Sequence, residues 1–190
     1  MRWAEWEEYK RSLLAGLREE RLIGYLDPGA ESFLELLNRP ALVVTTSSCT
    51  GRITVVEGEW HWLRENARIV FKTHDPVTRE ELERAAKRFS ERLWVKLTGP
   101  ILHLRTPSLR CAAKLLSHAR SSGFKHSGII SLSSRGHTVE LMSGVQLALP
   151  LLGGDLGELA EILNRALLEG RRRLGELTAK VSSDPGACEP

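Results

Sequence analysis

Apolar residues recur at two different periods along this chain. Trp3, Trp6, Leu13 and Leu17 fall near helical spacing with charges between them, which predicts a helix over about 3–22. A break from Gly24 to Pro28-Gly29 precedes a short helix over 31–38, closed by Pro40. The pattern then switches. Ala41-Leu42-Val43-Val44 and Ile53-Thr54-Val55-Val56 are β-branched runs that predict two strands, and the small polar residues between them predict a tight hairpin turn. Residues 68–74 predict a third strand, whose alternation sets Ile69 and Phe71 on one face and Val70, Lys72 and His74 on the other. Asp75-Pro76 ends it. Thr78 and Glu81 then form a capping box, and Leu82, Ala85, Ala86 and Phe89 make the apolar stripe of a helix.

A second round follows the same plan. Strands over 93–97 and 101–104 flank Gly99-Pro100, and Pro107 opens a helix with stripe Leu109, Ala112, Ala113 and Leu116 that Gly123 stops. Residues 128–132 and 138–142 predict a hairpin. Its turn, Ser133-Ser134-Arg135-Gly136, echoes Ser47-Ser48 and Gly51-Arg52 and suggests an internal duplication of a strand-and-helix unit. Leu156, Leu159, Leu163, Leu167, Leu174 and Leu177 share one face of a last helix over about 155–180. Together these elements predict a single α+β domain on a mixed or antiparallel sheet. Its parts are an N-terminal helical arm (1–40), the core (41–150), a C-terminal helix packed on it (151–181) and a flexible tail (182–190). No Gly-x-Gly-x-x-Gly follows a strand, so the fold is not of the Rossmann type.

Composition narrows the class. The 190 residues are 42% hydrophobic and 27% charged with a formal net charge of +3, a globular chain whose mild basicity is compatible with nucleic acid without requiring it. The charged N-terminus is unlike a signal peptide and no apolar run approaches the roughly 20 residues that span a bilayer, so a cytoplasmic protein is expected. Cys49, Cys111 and Cys188 are scattered, with no C-x-x-C pair, so neither a disulfide framework nor a thiolate metal site follows. The histidines are equally scattered, and no metal is expected. No Gly-x-Ser-x-Gly elbow marks a hydrolase. Cys49 is read as a small turn residue or, beside a histidine, as a nucleophile. Trp3 and Trp6 are read as packing anchors or base-stacking platforms. Arg171-Arg172-Arg173 is read as a solvated face or a phosphate site.

Three polar segments at strand ends remain as a candidate ligand cleft: the turn 45–52, the strand end Lys72-Thr73-His74-Asp75-Pro76, and the loop 123–128. His74 and His126 are acid/base candidates because imidazole titrates near neutrality. Arg52, Lys72 and Lys125 suit phosphate or carboxylate.

With these segments in view, the chain resembles the tRNA wybutosine-synthesizing protein 3 family in its archaeal form. Thr45-Thr46-Ser47-Ser48-Cys49-Thr50-Gly51-Arg52-Ile53 looks like that family's T-T-S-S-C-S-G-R-I signature. Lys72-Thr73-His74-Asp75-Pro76 is similar to its K-x-H-x-P segment, and Gly123-Phe124-Lys125-His126-Ser127-Gly128-Ile129 to its G-F-[RK]-x-S-G-I segment. Thr50 replaces the usual serine. The family's D-K-S-x-K-G-x-x-D stretch reads Leu26-Asp27-Pro28-Gly29-Ala30-Glu31-Ser32 here, keeping Asp27 and losing the lysines.

The resemblance implies an S-adenosylmethionine-dependent methyltransferase in wyosine-derivative biosynthesis. Its substrate would be the N-4 ring nitrogen of the aminocarboxypropyl-bearing base beside the anticodon of tRNA-Phe. Residue type and position then suggest catalytic roles for His74 and then His126. Thr46, Ser47, Ser48, Cys49, Gly51, Arg52, Lys72, Lys125, Ser127 and Gly128 would bind cofactor or substrate. The competing expectation is a non-catalytic RNA-binding module that uses the same basic faces. Oligomeric state stays open.

Overall fold

The structure, a computed structural model, describes residues 3–22, 27, 29–41, 43–63, 65–88, 92–151 and 154–184. Gly24, Pro28, Leu42, Phe89, Gly153 and the tail 185–190, which carry some of the expectations above, lie outside them. In chain order the elements are α1 (Trp3–Leu22), α2 (Ala30–Leu37), β1 (Val44–Cys49), β2 (Arg52–Glu57), β3 (Arg68–Thr73) and α3 (Arg79–Arg88). They continue with β4 (Leu93–Thr98), β5 (Ile101–Thr106), α4 (Leu109–Ser121), β6 (Gly128–Ser133), β7 (Gly136–Met142), β8 (Gln146–Pro150) and α5 (Leu156–Ser183). The strands form two four-stranded sheets, ordered β1-β5-β7-β6 and β3-β2-β4-β8. Every strand pairing among the described residues is antiparallel, which fits the expected α+β class and is unlike a Rossmann sheet.

One local expectation is corrected here. β1 and β2 do not form a hairpin: β1 is the edge strand beside β5, whereas β2 lies between β3 and β4. Residues 45–49 belong to β1 itself, and the connection is only Thr50-Gly51. The reason is that a β-branched run fixes that a strand exists but not with which strand it pairs. The same switch of sheet happens between β4 and β5, at Gly99-Pro100, and between β7 and β8.

At these links the chain divides into two compact units. Unit 1 holds residues 1–50, 100–144 and 172–190, and unit 2 holds 51–99 and 145–171. In unit 1, Trp6 is fully buried with Leu37, Leu102, Leu104, Phe124, Leu141, Leu174 and Leu177. Trp6 is therefore a packing anchor, and its indole N–H donates to the Ala41 carbonyl at 2.9 Å, so the ring is buried with its polar edge satisfied. Unit 2 packs Ile53, Val55, Val95 and Leu97 of its sheet against Leu82 of α3 and Leu163 and Leu167 of α5. Each such fully buried aliphatic side chain contributes roughly 1.5–3 kcal/mol. In each unit a helix lies between the lone strand and the hairpin, but in opposite chain order: β2-β3-α3-β4 against β5-α4-β6-β7.

Caps follow the sequence. The Thr78 Oγ1 accepts from the Glu81 N–H while the Glu81 carboxylate accepts from the Thr78 N–H, a reciprocal capping box. Ser108 caps α4 by accepting from the Cys111 N–H, and Asp155 caps α5. Cys111 itself is fully buried in the core of unit 1. A second correction concerns β3. Its register jumps from Val55↔Phe71 to Val56↔Ile69, so the strand bulges at Val70 and Ile69 and Phe71 face opposite sides. No helix among the described residues is long and apolar enough to cross a membrane.

Candidate active site

In unit 1 the hydroxyl-rich signature is the edge strand β1. A shift of register between Thr45 and Ser47 bulges Thr46 outward, where its hydroxyl donates to the His103 carbonyl at 3.3 Å. The rung that follows is chemically unusual. Ser47 lies opposite His103, and His103 opposite Glu140, on three adjacent strands. Ser47 Oγ is 2.6 Å from His103 Nδ1, and His103 Nε2 is 3.0 Å from Glu140 Oε2. An ionised carboxylate only accepts, so Nε2 carries the proton and, in the neutral ring, Nδ1 accepts from the Ser47 hydroxyl. Ser47 is then turned to present its own lone pairs outward.

Ser48 and Cys49 are half-buried further along the strand, and the Ser48 hydroxyl has no hydrogen-bond partner among the described residues. Thr50 closes β1. Its N–H donates to Asp27 Oδ2 at 2.9 Å, while its hydroxyl oxygen is buried without a partner among the described residues. Asp27, the carboxylate kept from the family's acidic stretch, thus holds the end of the signature strand.

The loop 123–128, also in unit 1, has a different character. Phe124 is fully buried as its anchor, and the Ser127 hydroxyl donates to the Phe124 carbonyl at 2.7 Å and accepts from the Met142 N–H at 3.0 Å. Ser127 therefore shapes the turn. Lys125 and His126 are exposed on it, and Gly128 pairs with Glu140 at the start of β6.

In unit 2, Gly51 sits at φ +101°, and an added Cβ would lie 3.2 Å from Leu167 Cδ1 and 3.3 Å from the Thr98 carbonyl oxygen. Only glycine fits comfortably there. His74 follows the end of β3 and is held from both sides. Its Nδ1 lies 2.9 Å from the Gly51 carbonyl oxygen, and its own carbonyl accepts from Arg171. A carbonyl cannot donate, so Nδ1 carries the proton and the neutral ring has its basic lone pair at Nε2. Arg52 and Lys72 project from β2 and β3 of the same unit, without a carboxylate partner among the described residues. The arginine triplet is accounted for one by one: Arg171 braces His74, Arg172 pairs with Glu176 at 2.5 Å, and Arg173 packs over Gly123.

A family model described as Methyltransferase TYW3 matches residues 8–183. The chain belongs to the TYW3 methyltransferase family. A relative from Aeropyrum pernix is 51% identical over 87% of this chain and 93% of its own length; another, from Saccharolobus solfataricus, is 35% identical over 94% and 90%. Both are named tRNA(Phe) 7-((3-amino-3-carboxypropyl)-4-demethylwyosine(37)-N(4))-methyltransferase. Among solved structures, one of a hypothetical protein from Aeropyrum pernix matches with TM-score 0.76 at 45% identity, covering 83% of this chain and 98% of that one. A Pyrococcus horikoshii protein matches with TM-score 0.86 at 31% identity over 94% and 97%.

As a member of a methyltransferase family, this TYW3 chain must accommodate a methyl donor. In unit 1 the hydroxyls of Ser48 and Thr50, and in unit 2 the guanidinium of Arg52, have no partner among the described residues. Each is the kind of donor that a carboxylate-bearing cofactor requires, so the residues fit such a group. Sequence reasoning missed His103 and Glu140 as functional candidates, and read Arg171 as surface or phosphate site rather than as the brace of the His74 carbonyl. The alternation of β5 marks His103 as a polar-face residue, but only the strand register reveals that Ser47 and Glu140 flank it.

Proposed function

We propose that this chain transfers a methyl group from S-adenosylmethionine to the N-4 ring nitrogen of the aminocarboxypropyl-bearing demethylwyosine base beside the anticodon of tRNA(Phe), in the cytoplasm. The observation that carries this reading is the 51% identity over most of both chains to a relative named for that reaction.

When bound, S-adenosylmethionine supplies an electrophilic methyl on a sulfonium. The residues of this chain do the rest. Ser47, its hydroxyl proton committed to His103, offers lone pairs to an ammonium group. Ser48 and Thr50, and separately Arg52, offer donors to a carboxylate, whether of the cofactor or of the substrate's side chain. As the N–C bond forms and the C–S bond breaks, the proton on N-4 must leave, and His74 Nε2 is the base that takes it. His126 is second in line for that role. Lys72 and Lys125 are exposed cations suited to phosphates of the anticodon loop. Cys49 fills its strand position, and Ser127 and Gly128 shape the loop that presents Lys125.

The competing reading, a module that only binds RNA, predicts no response to the cofactor. Thermal unfolding with and without S-adenosylmethionine separates them. At about one hundred times its Kd, a bound ligand stabilises the folded state by about 2.7 kcal/mol. An unchanged melting curve at millimolar cofactor overturns the enzyme reading.

A further inference from the structure

The face of the β3-β2-β4 sheet that looks away from the core of unit 2 carries a pocket of about 210 Å³, walled by Arg52, Thr54, His61, Ile69, Lys96 and Thr98. That is below the roughly 300–1,000 Å³ of pockets that enclose whole small ligands, so it takes one planar or anionic part of a larger partner. Beside its His61 lies an aromatic cluster. Trp60 and Trp62 stack with ring centroids 4.8 Å apart, and Trp62 is 58% exposed.

This cluster is built, not incidental. The Trp94 indole N–H, from β4, is shared between the carbonyls of Gly58 and Glu59 at 3.2 and 3.3 Å and pins the loop that carries the two tryptophans. At Gly58 any Cβ would lie 2.6 Å from the Asn66 carbonyl oxygen, so the loop closes tightly on itself. Arg92 lies 5.6 Å over the Trp60 ring and stiffens that side. His61 packs edge-on against both Trp62 and Trp94. Burial and then the nearby Lys96 charge hold its imidazole below the usual range, so near pH 7 it is neutral. Its Nδ1 is shielded from water and has no hydrogen-bond partner outside its own residue among the described residues. Lys96 has no carboxylate partner among them either.

An exposed indole, unpaired cations and a neutral imidazole on an antiparallel sheet are the ingredients with which proteins hold unpaired nucleotides: π-faces for bases and cations for phosphates. We infer that this face, which adjoins the candidate ligand residue Arg52, is an RNA-binding surface on which an unpaired base stacks on Trp62 and its neighbouring phosphate is held by Lys96. The inference rests on the tRNA-methylating reading for the identity of the RNA. The clustering of cations selects a polyanion, and the exposed indole favours one with stackable bases over an acidic peptide.

The test uses the full chain and a short RNA hairpin with the anticodon-loop sequence of tRNA(Phe), with a poly-glutamate peptide as comparison. Trp62→Leu is expected to weaken hairpin binding roughly tenfold, within the range that single-base stacking allows, while Trp62→Phe keeps most of it. Lys96→Gln is expected to lower the slope of log affinity against log salt by about one. Stabilisation by S-adenosylmethionine should be unchanged in all three variants. Unchanged hairpin affinity and salt slope in folded Trp62→Leu and Lys96→Gln overturn the inference, as does poly-glutamate binding that is equally tight and equally sensitive to Trp62. Failure of the methyltransferase reading looks different, since it removes the response to cofactor from the unsubstituted protein.

Discussion

His74 gives its Nδ1 proton to the Gly51 carbonyl 2.9 Å away, and that one bond decides which nitrogen of the ring is basic. Gly51 itself is held at φ +101° between Leu167 and the Thr98 carbonyl, so this backbone and the His74 ring are fixed together. If His74 is the base proposed above, replacing it removes proton transfer without removing the fold. His74→Ala is expected to lower the single-turnover methylation rate by about 10²–10⁴-fold, with cofactor-induced stabilisation retained. An unchanged single-turnover rate shows that another group takes the proton.

Gly51→Ala tests the anchor of that ring. A side chain at this φ, with neighbours at 3.2 and 3.3 Å, costs about 1–3 kcal/mol of stability. Urea denaturation checks the loss, and methylation should fall along with it. A variant as stable as the parent contradicts the strain.

On the proposed mechanism the rung Ser47–His103–Glu140 positions a hydroxyl for the cofactor and leaves the chemistry to other residues. His103→Ala removes both side-chain hydrogen bonds of the rung; the one that orients Ser47 is worth about 0.5–1.5 kcal/mol, so KM for the cofactor should rise by several-fold with kcat little changed. His103→Asn, which keeps an acceptor near Ser47, should recover part of the affinity. A fall in kcat at constant KM would give His103 a chemical role instead.

Lys10 makes stability depend on pH. Its ammonium donates to the carbonyls of Asn38 and Pro40 at 2.7 Å each, and burial lowers its pKa from 10.5 to about 8. The folded chain therefore releases this proton before the unfolded chain does. Below pH 8 the penalty of burying the charge is fully present, and between about 8 and 10.5 stability rises with pH. Lys10→Met should abolish that rise in unfolding free energies measured across the window. An identical slope in the variant contradicts the assignment.

How legible this was depends on range. α3, α4 and α5 could be read from the Thr78–Glu81 capping box, from Pro107 and Gly123, and from their apolar stripes, because these signals act within or beside their own helices. The β6–β7 hairpin was legible because its partners are neighbours in the chain. The β1–β2 turn misled for the opposite reason: partners more than about 50 residues away outcompete the near one, and nothing local to residues 45–52 encodes β5. β8 was not read because Gln146 to Pro150 is short, mostly exposed and ends in proline, so its brief alternation of Leu147 and Leu149 gives a weak strand signal. The bulge at Val70 reversed the assignment of Ile69 for lack of any glycine to signal it. Among the candidate residues, His74 and the hydroxyl strand were proposed from residue type, whereas the pairing of His103 with Ser47 and Glu140, and the contact of Arg171 with His74, enter only through register and packing.

The most direct measurement is transfer of labelled methyl from S-adenosylmethionine to tRNA(Phe) that carries the aminocarboxypropyl-demethylwyosine base, followed by mass analysis of the released nucleoside. The account predicts one added methyl on the ring nitrogen N-4, and none on the same tRNA lacking that base. Tight binding of the modified tRNA with no methyl transferred, under conditions where the cofactor is present in excess, would contradict it.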